Sequence, residues 1–355
     1  MTQGRTRQRR RARLSTDLTL LGIVGVLLVA AIVAGGLSLY REFYGPSAFV
    51  ERYLEMLSTG RAADALRVPG VSVDRSLLDD AGIHPTASEA LLRSAALAPL
   101  SNVRVIDETD HDGTFMVSVE YDAGSVHGRS RFTVVQDGWV GVTPNWRFQR
   151  SPLAEVELTV LGADQFSVNG FEIDRRQVSA DGVDADPLDP LHLLVFTPGV
   201  YSIAVDTPIA TSSGVRVLAD TPLARTPVNV QATATDRFTE VVQQRVEEFL
   251  EACATQEVLQ PTACPFGLEV RNRIASVPHW SIAKHPVVTV VPDGAHWAIP
   301  PTEAVAHIEV EIQSLFDGSI EKVSEDVPFQ VDGTITILPD GSASIRVGSP
   351  DIDTR

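Results

Sequence analysis

An uncharged, largely apolar run near the N-terminus constrains this chain more than any other feature. It extends over residues 18–40, and Leu18 to Leu39 is long enough, at about 1.5 Å per helical residue, to cross the roughly 30 Å hydrocarbon layer. Because basic residues are enriched on the cytoplasmic side of a span, the run predicts a cytoplasmic arm over 1–17 and a single transmembrane helix over 18–40. The predicted location is the cell membrane, with the N-terminus cytoplasmic and all later domains extracytoplasmic. Six arginines form the basic arm: Arg5, Arg7, Arg9, Arg10, Arg11 and Arg13.

The alternative for this run is a cleaved signal peptide, since small residues such as Ala34 and Gly35 lie near its end. The apolar core of a signal peptide is usually about 7 to 15 residues long. The run here is longer and stays apolar through Leu37 and Leu39. A retained helix is therefore the favoured interpretation.

The charge beyond the apolar run restricts the possible partners. Residues 41–355 contain 23 basic and 45 acidic side chains, a net charge of −22. A surface of this sign repels nucleic acid and favours cations or basic partner surfaces by long-range attraction; the alternative is that the charge serves only to keep the protein soluble. Nucleic-acid binding is excluded on this basis.

Two cysteines, Cys253 and Cys264, are the only ones in the chain. On the oxidising side of a membrane such a pair is most simply a disulfide that closes a short loop. The chain-entropy contribution of a loop of this size is roughly 2 to 3 kcal/mol. Metal binding would require more ligands than this pair offers nearby.

The hydrophobic periodicity divides the rest of the chain into three units. Residues 46–152 begin with helical patterns at 47–57 and 87–97 and continue with alternating strands. Residues 153–232 contain only short strand patterns, with a hairpin signal at Asn169-Gly170 and a long insert over 175–190. Residues 236–348 return to a helical stripe followed by strands, and a tail covers 349–355. The predicted fold class is α+β, with two α+β domains flanking a small all-β module.

Three resemblances follow from these patterns. The order of elements in 46–152, with the closing segment Trp146 to Leu153, resembles the nuclear transport factor 2-like cone. The Asn-Gly hairpin and the turn Phe196 to Tyr201 resemble PEGA-like modules. The whole order resembles the teicoplanin-associated envelope proteins of Gram-positive bacteria and their actinobacterial relatives, although the cysteine zinc ribbon that many relatives carry is absent. This resemblance implies envelope binding or stress-linked regulation rather than catalysis.

A cone of this kind can hold a catalytic pocket, so its polar residues are candidates. Tyr53, Asp107, Tyr121 and His127 are the groups in the first unit that could point inward. Enzyme motifs such as Gly-x-Ser-x-Gly, His-Glu-x-x-His and the P-loop do not occur in the sequence. We therefore expect no enzymatic activity and no cofactor.

Two further clusters point to ligands. The insert contains a calcium candidate made of four aspartates, without the spacing of an EF-hand loop: Asp181, Asp184, Asp186 and Asp189. The alternative is a solvated acidic loop.

Tryptophans could stack on a wall glycan if they shared one exposed groove, the alternative being core packing. These are Trp139, Trp146, Trp280 and Trp297. The eight histidines are spread singly, and no shared site is expected among them: His84, His111, His127, His192, His279, His285, His296 and His307.

The sequence as a whole favours a membrane-anchored, non-catalytic binding or scaffolding platform of the cell envelope. Its expected partner is an envelope protein or a wall glycan, and its helix would lie in the membrane. Two alternatives remain: a small-molecule sensor or enzyme that uses one cone as its pocket, and a structural spacer.

Overall fold

A computed structural model describes residues 24–30, 40–72, 74–338 and 343–348 of the protein. Positions 24–30 and 40–44 are helical. Within these ranges no helix has both the length and the apolar character needed to cross a membrane. This finding contradicts the predicted single-pass helix at 18–40 and the membrane location inferred from it. Positions 18–23 and 31–39 of that helix, the arm 1–17 and the tail 349–355 lie outside the described residues.

The N-terminal part packs one amphipathic helix on a four-stranded antiparallel sheet. Helix α1 (Pro46–Ser58) starts with a proline, whose fixed φ suits the first helical turn, and buries one face. Two short helices follow, α2 (Ala62–Leu66) and α3 (Arg75–Asp80). The sheet has the order β1-β2-β3-β4. Its strands are β1 (Leu100–His111), β2 (Thr114–Ala123), β3 (Val126–Val140) and β4 (Thr143–Phe148).

The central module contains three sheets. Their strand orders are β12-β5-β8, β11-β9-β6-β7 and, for the smallest, β10-β13. Asn169, with a φ of 52°, and Gly170 form the turn between β6 and β7, as the hairpin signal predicted. The strands are β5 (Leu153–Leu161), β6 (Gln165–Val168), β7 (Phe171–Asp174), β8 (Leu191–Phe196), β9 (Gly199–Ala204), β10 (Ala210–Thr211), β11 (Val215–Ala219), β12 (Arg225–Gln231) and β13 (Thr233–Ala234). A short helix, α4 (Arg175–Val178), opens the insert.

The C-terminal part consists of one long helix and a six-stranded sheet. Helix α5 (Asp236–Ala254) is capped by Thr235, whose side chain accepts a hydrogen bond from the N–H of Phe238. The sheet is built on a long antiparallel pair, with the remaining strands along its edges. Its strands are β14 (Arg273–Ile274), β15 (His279–Lys284), β16 (Val291–Asp293), β17 (His296–Gln313), β18 (Ile320–Ile337) and β19 (Ala343–Gly348). Cys253, in the last turn of α5, is bonded to Cys264, which confirms the predicted disulfide.

Two hydrophobic cores hold these parts together, and both include residues of the central module. The larger core joins the module to α5 and the C-terminal sheet. The smaller core joins α1 and the first sheet to Leu153, Leu194 and Phe196 of the module. The module is therefore packed against both neighbours through apolar contacts, which favours fixed positions over independent domain motion.

The predicted α+β class is wrong. Strands make up 46% of the described residues and helices 21%, so the structure is mostly β and does not contain the predicted pair of α+β cones. The clearest local error is the helix predicted over 87–97. Ser88 instead forms a parallel bridge to Leu193 of β8, and Ala90, Leu91 and Ala96 are buried in the larger core. Tertiary packing against the module has overridden the local helical pattern of this segment.

Candidate functional site

A polar cluster lies on the sheet β12-β5-β8, on the face that packs against the N-terminal part. Glu155 and Glu157 are two apart on β5 and therefore share this face. Arg225 of β12 pairs with Glu155 in the parallel ladder, and His192 of β8 pairs with Glu157 in the antiparallel one. The sheet register thus brings four ionisable side chains from three strands side by side.

Glu155 is the centre of this cluster and is completely buried. Its Oε2 accepts a hydrogen bond from the backbone N–H of His84 at 2.7 Å. Its Oε1 lies 2.7 Å from Nδ1 of His192 and 3.4 Å from Nε of Arg225. A buried charge costs several kcal/mol unless it is paired and hydrogen-bonded, and these three partners meet that requirement. Arg225 also donates to the carbonyl of Gly82 at 2.7 Å, which ties the loop after α3 to the module.

The ring of His84 stacks on the ring of His192. Their centroids are 3.8 Å apart and their planes differ by 5°. Burial lowers the pKa of His84 below its ordinary value, and the neighbouring His192 lowers it further. The backbone N–H of Thr86 donates to Nδ1 of His84 at 3.3 Å, so the hydrogen-bond pattern assigns the proton of the neutral ring to Nε2. At neutral pH this site therefore presents an uncharged imidazole.

A pocket of about 200 Å³ opens beside the stacked rings, and we call it the histidine pocket. One wall is formed by His84, Thr86 and His192, and the other by the insert that follows β7. The insert wall contributes Arg175, Val178, Ser179, Ala180, Asp181, Asp186, Asp189, Pro190 and Leu191.

Arg175 holds the insert wall in place. Its side chain is 1% exposed and donates to the backbone carbonyls of Asp186 at 3.1 Å, Asp189 at 2.8 Å and Val160 at 3.1 Å. Its Nε has no hydrogen-bond partner among the residues that the structure describes, and the carboxylate of Asp164 lies 3.9 Å away. Burial lowers the pKa of Arg175, with the nearby aspartates opposing that effect. The guanidinium therefore fixes the backbone conformation of the insert and contributes little positive charge to its exposed surface.

The four aspartates of the calcium prediction are exposed and do not form a common site in the described part of the chain. The carboxylate of Asp186 accepts a hydrogen bond from the N–H of Leu188, which fixes a local turn. Asp181, Asp186 and Asp189 line the histidine pocket, whereas Asp184 does not. Calcium binding by this loop stays a prediction, which calorimetric titration can test.

The pocket residues predicted in the first unit do not converge. Tyr53 and Tyr121 are fully buried, and the Tyr53 hydroxyl donates to the carbonyl of Thr197 at 3.0 Å. Burial raises the pKa of both phenols. On the outside of the sheet, His127 pairs with Asp122 at 2.7 Å and Asp107 accepts from Thr109. A depression of about 210 Å³ beside α1 includes Tyr53 but none of the other three.

The tryptophans likewise do not share a groove. Trp146, Trp280 and Trp297 are at most 7% exposed, and Trp146 and Trp280 each donate their indole N–H to a backbone carbonyl. Trp139 is 62% exposed at the tip of the β3–β4 hairpin. The shared surface on which the glycan hypothesis depended is therefore not formed by these four residues.

A serine, a histidine and an aspartate are hydrogen-bonded in a line on the C-terminal sheet. Oγ of Ser324 lies 3.2 Å from Nε2 of His307, whose Nδ1 lies 2.7 Å from Asp326. The connectivity matches a catalytic triad, but Ser324 is exposed and the Asp326 side chain is 67% exposed on an open sheet face. A hydrolytic site needs a desolvated substrate and positioned oxyanion donors, which an open face does not supply. We interpret this line as a cross-strand polar contact.

The cluster around Glu155 is not apparent from the sequence, because its members come from four separate segments. The sequence predicts no shared site among the histidines, yet His84 and His192 are stacked. The sequence of β5 carries no signal of the cluster, because Glu155 and Glu157 alternate with apolar residues as they would in a strand with one face in solvent.

No protein-family model matches the chain, and the searches of curated proteins and of solved structures give no significant match. This result neither supports nor opposes the resemblance to the teicoplanin-associated family.

Proposed function

We propose that the protein is a non-catalytic binding platform and that its histidine pocket receives a positively charged group of the partner. Suitable groups are the side chain of a lysine or arginine on a protein surface and the amine of an amino sugar. The observation that carries this proposal is the charge of the pocket wall. Asp181, Asp186 and Asp189 face a wall whose imidazole His84 is neutral at pH 7.

The one cation in the pocket wall does not cancel this preference. Both terminal nitrogens of Arg175 are bonded to backbone carbonyls, and its side chain is almost completely buried. Three aspartates against one arginine leave a net charge of −2 on the lining. The whole chain has a net charge of −17, so it also attracts a basic partner at longer range.

The size of the pocket suits one side chain rather than a cofactor. Its volume of about 200 Å³ is below the roughly 300 Å³ at which sites for drug-sized ligands begin. The edges of the stacked His84 and His192 rings can contact the aliphatic stem of a lysine while the carboxylates contact its ammonium group. The pocket is thus a recognition point within a larger contact surface.

The packing of the molecule supports a platform. The central module is shared between two hydrophobic cores, so the pocket walls are fixed by apolar contacts on both sides. A preformed pocket loses less conformational entropy on binding than a mobile one. Envelope proteins with basic surfaces and glycans with free amines are the partner classes we propose.

The test is a calorimetric titration of the full chain with a short lysine-containing peptide, compared with the same peptide acetylated on the lysine nitrogen. Asp189→Asn should weaken binding of the lysine peptide, because one of the wall carboxylates is lost. Asp184→Asn is the matched control, since Asp184 lies in the same loop but does not line the pocket. Equal binding of both peptides, or equal weakening by both substitutions, would contradict the proposal.

A further inference from the structure

We propose that Glu155, Glu157 and His192 form a binding site for a divalent transition-metal ion of the zinc class, and that the side chain of Arg225 occupies the cation position when no metal is bound. This inference does not rest on the function proposed above. His192 is common to both sites, but Glu155, Glu157 and Arg225 do not line the histidine pocket.

The sheet geometry brings the three ligands together. Glu155 and Glu157 share one face of β5, and His192 is the ladder partner of Glu157 on β8. One ligand atom from each residue, two carboxylate oxygens and one imidazole nitrogen, all lie within 4.8 Å of one another. Zinc sites in proteins combine histidine nitrogen and carboxylate oxygen at about 2.0 to 2.2 Å, and three protein ligands with one open position are common. The donor set therefore fits zinc, cobalt or nickel better than calcium, which prefers six or more oxygens.

The site needs only a small adjustment to admit a metal. Nδ1 of His192 and Oε1 of Glu155 are 2.7 Å apart, with one proton between them. Two ligands at about 2.0 Å from a tetrahedral ion are about 3.3 Å apart, so the pair must open by about 0.6 Å. The ion takes the place of the shared proton, which moves from Nδ1 to Nε2 so that the metal-bound ring stays a neutral imidazole.

The neighbouring contacts already resemble the support of a metal ligand. The N–H of His84 donates to the second oxygen of Glu155 at 2.7 Å, so that carboxylate is oriented independently of His192. Such outer contacts fix the direction of a ligand and raise metal affinity. His84 itself is not a ligand in this arrangement. Its ring is parallel to that of His192, and lone pairs in parallel planes do not converge on one ion.

Arg225 is the group that competes with the metal. Its Nε lies 3.4 Å from Glu155 and 4.0 Å from Glu157, between the two carboxylates that would bind the ion. Its side chain is 41% exposed and can move to solvent, whereas the side chain of Glu155 is 0% exposed. The competing interpretation is a permanent ion-pair network in which Arg225 satisfies the carboxylates. The two interpretations give opposite results when Arg225 is replaced.

The experiment is a titration of the chelator-treated full chain with cobalt(II), followed by the visible d–d absorption of four-coordinate cobalt and by competition with zinc. The wild type should bind one cobalt ion in this form. Arg225→Gln should tighten binding about fivefold or more, because the cation that competes with the metal for the two carboxylates is removed; about fivefold corresponds to the attraction of unit charges roughly 4 Å apart in water. Glu157→Gln should weaken binding about 10- to 100-fold, a range that loss of even an outer contact can reach.

Asp326→Asn is the matched control, because Asp326 pairs with His307 at the same 2.7 Å but belongs to no three-ligand group in the ranges that the structure describes. It should leave cobalt binding unchanged. The proposal is overturned if the wild type gives no four-coordinate absorption. It is also overturned if Arg225→Gln weakens binding, or if Glu157→Gln has no effect. Glu157 is only partly buried and Arg225 partly exposed, so both variants are expected to fold.

Discussion

Replacing Arg175 by methionine should open the insert wall of the histidine pocket. Methionine fills much of the volume of the arginine side chain but donates no hydrogen bond. The substitution removes three bonds, to the carbonyls of Val160, Asp186 and Asp189. The insert should therefore lose its attachment to β5 while the sheets remain intact.

The magnitude follows from the environment of each carbonyl. Hydrogen bonds to a charged group are worth about 1.5 to 3 kcal/mol each, which sets an upper limit. Asp186 and Asp189 are exposed, so their carbonyls can bond to water once the loop opens. Val160 is buried, and an unsatisfied buried carbonyl costs about 1 to 3 kcal/mol. Since removing a buried guanidinium also relieves its desolvation, the net loss should be about 2 to 4 kcal/mol.

The measurement combines urea unfolding with hydrogen exchange of backbone amides. The free energy of unfolding reports the total loss, and exchange within 175–190 reports whether the opening is local. The adjacent Arg176→Met is the matched control. Arg176 pairs with Asp174 at 2.6 Å and its side chain is 35% exposed, so its loss should cost about 1 kcal/mol or less.

The reasoning would be refuted by two results. One is an Arg175→Met variant no less stable than Arg176→Met. The other is unchanged exchange in the insert, which would mean that the loop is held by contacts other than the guanidinium.

Three further predictions concern other parts of the chain. Reduction of the Cys253–Cys264 disulfide should lower the free energy of unfolding by roughly 2 to 3 kcal/mol, measured by urea titration with and without reductant, and a variant with both cysteines replaced by serine should not respond. The pKa of His84 is lowered in the folded state, so the neutral ring contributes to the free energy of unfolding above about pH 6.5, and this contribution is lost as the pH falls through the folded pKa. The loss of stability on acidification should be smaller in His84→Gln. Gly70→Ala places a Cβ 2.2 Å from the carbonyl oxygen of Phe148 at a φ of +84° and should lower the free energy of unfolding by about 3 kcal/mol or more. Gly60→Ala, where a Cβ has open space, should lower it by about 1 kcal/mol. Equal unfolding midpoints of the two variants would contradict this.

The sequence predicted those elements that local chemistry decides. Leu191 to Phe196 is a mostly apolar run of strand length and forms β8. The Asn169-Gly170 turn follows from the positive φ that both residues tolerate. The cysteine pair was predictable for a similar reason, because its partners are close in the chain.

Features that depend on distant segments were not predictable in this way. Asp332-Gly333 has the composition of a turn, yet β18 continues through it. The structure gives another reason for the glycine, since a Cβ there would lie 2.7 Å from the carbonyl oxygen of Arg346 on β19. The helix predicted over 87–97 is wrong, and the cluster around Glu155 is not predicted, for the same reason. Each depends on which part of the chain packs against it.

The parallel pairing of β5 and β12 has a consequence for the order in which the chain can fold. Arg225 pairs with Glu155, 70 positions earlier in the chain, and β12 is the last strand of its sheet to leave the ribosome. Until then one edge of β5 has no partner, and the face that packs against the N-terminal part is incomplete. Because contacts between distant residues slow folding, the first 224 residues should remain a partly assembled intermediate during synthesis. An exposed strand edge of this kind is where a chaperone would be expected to bind.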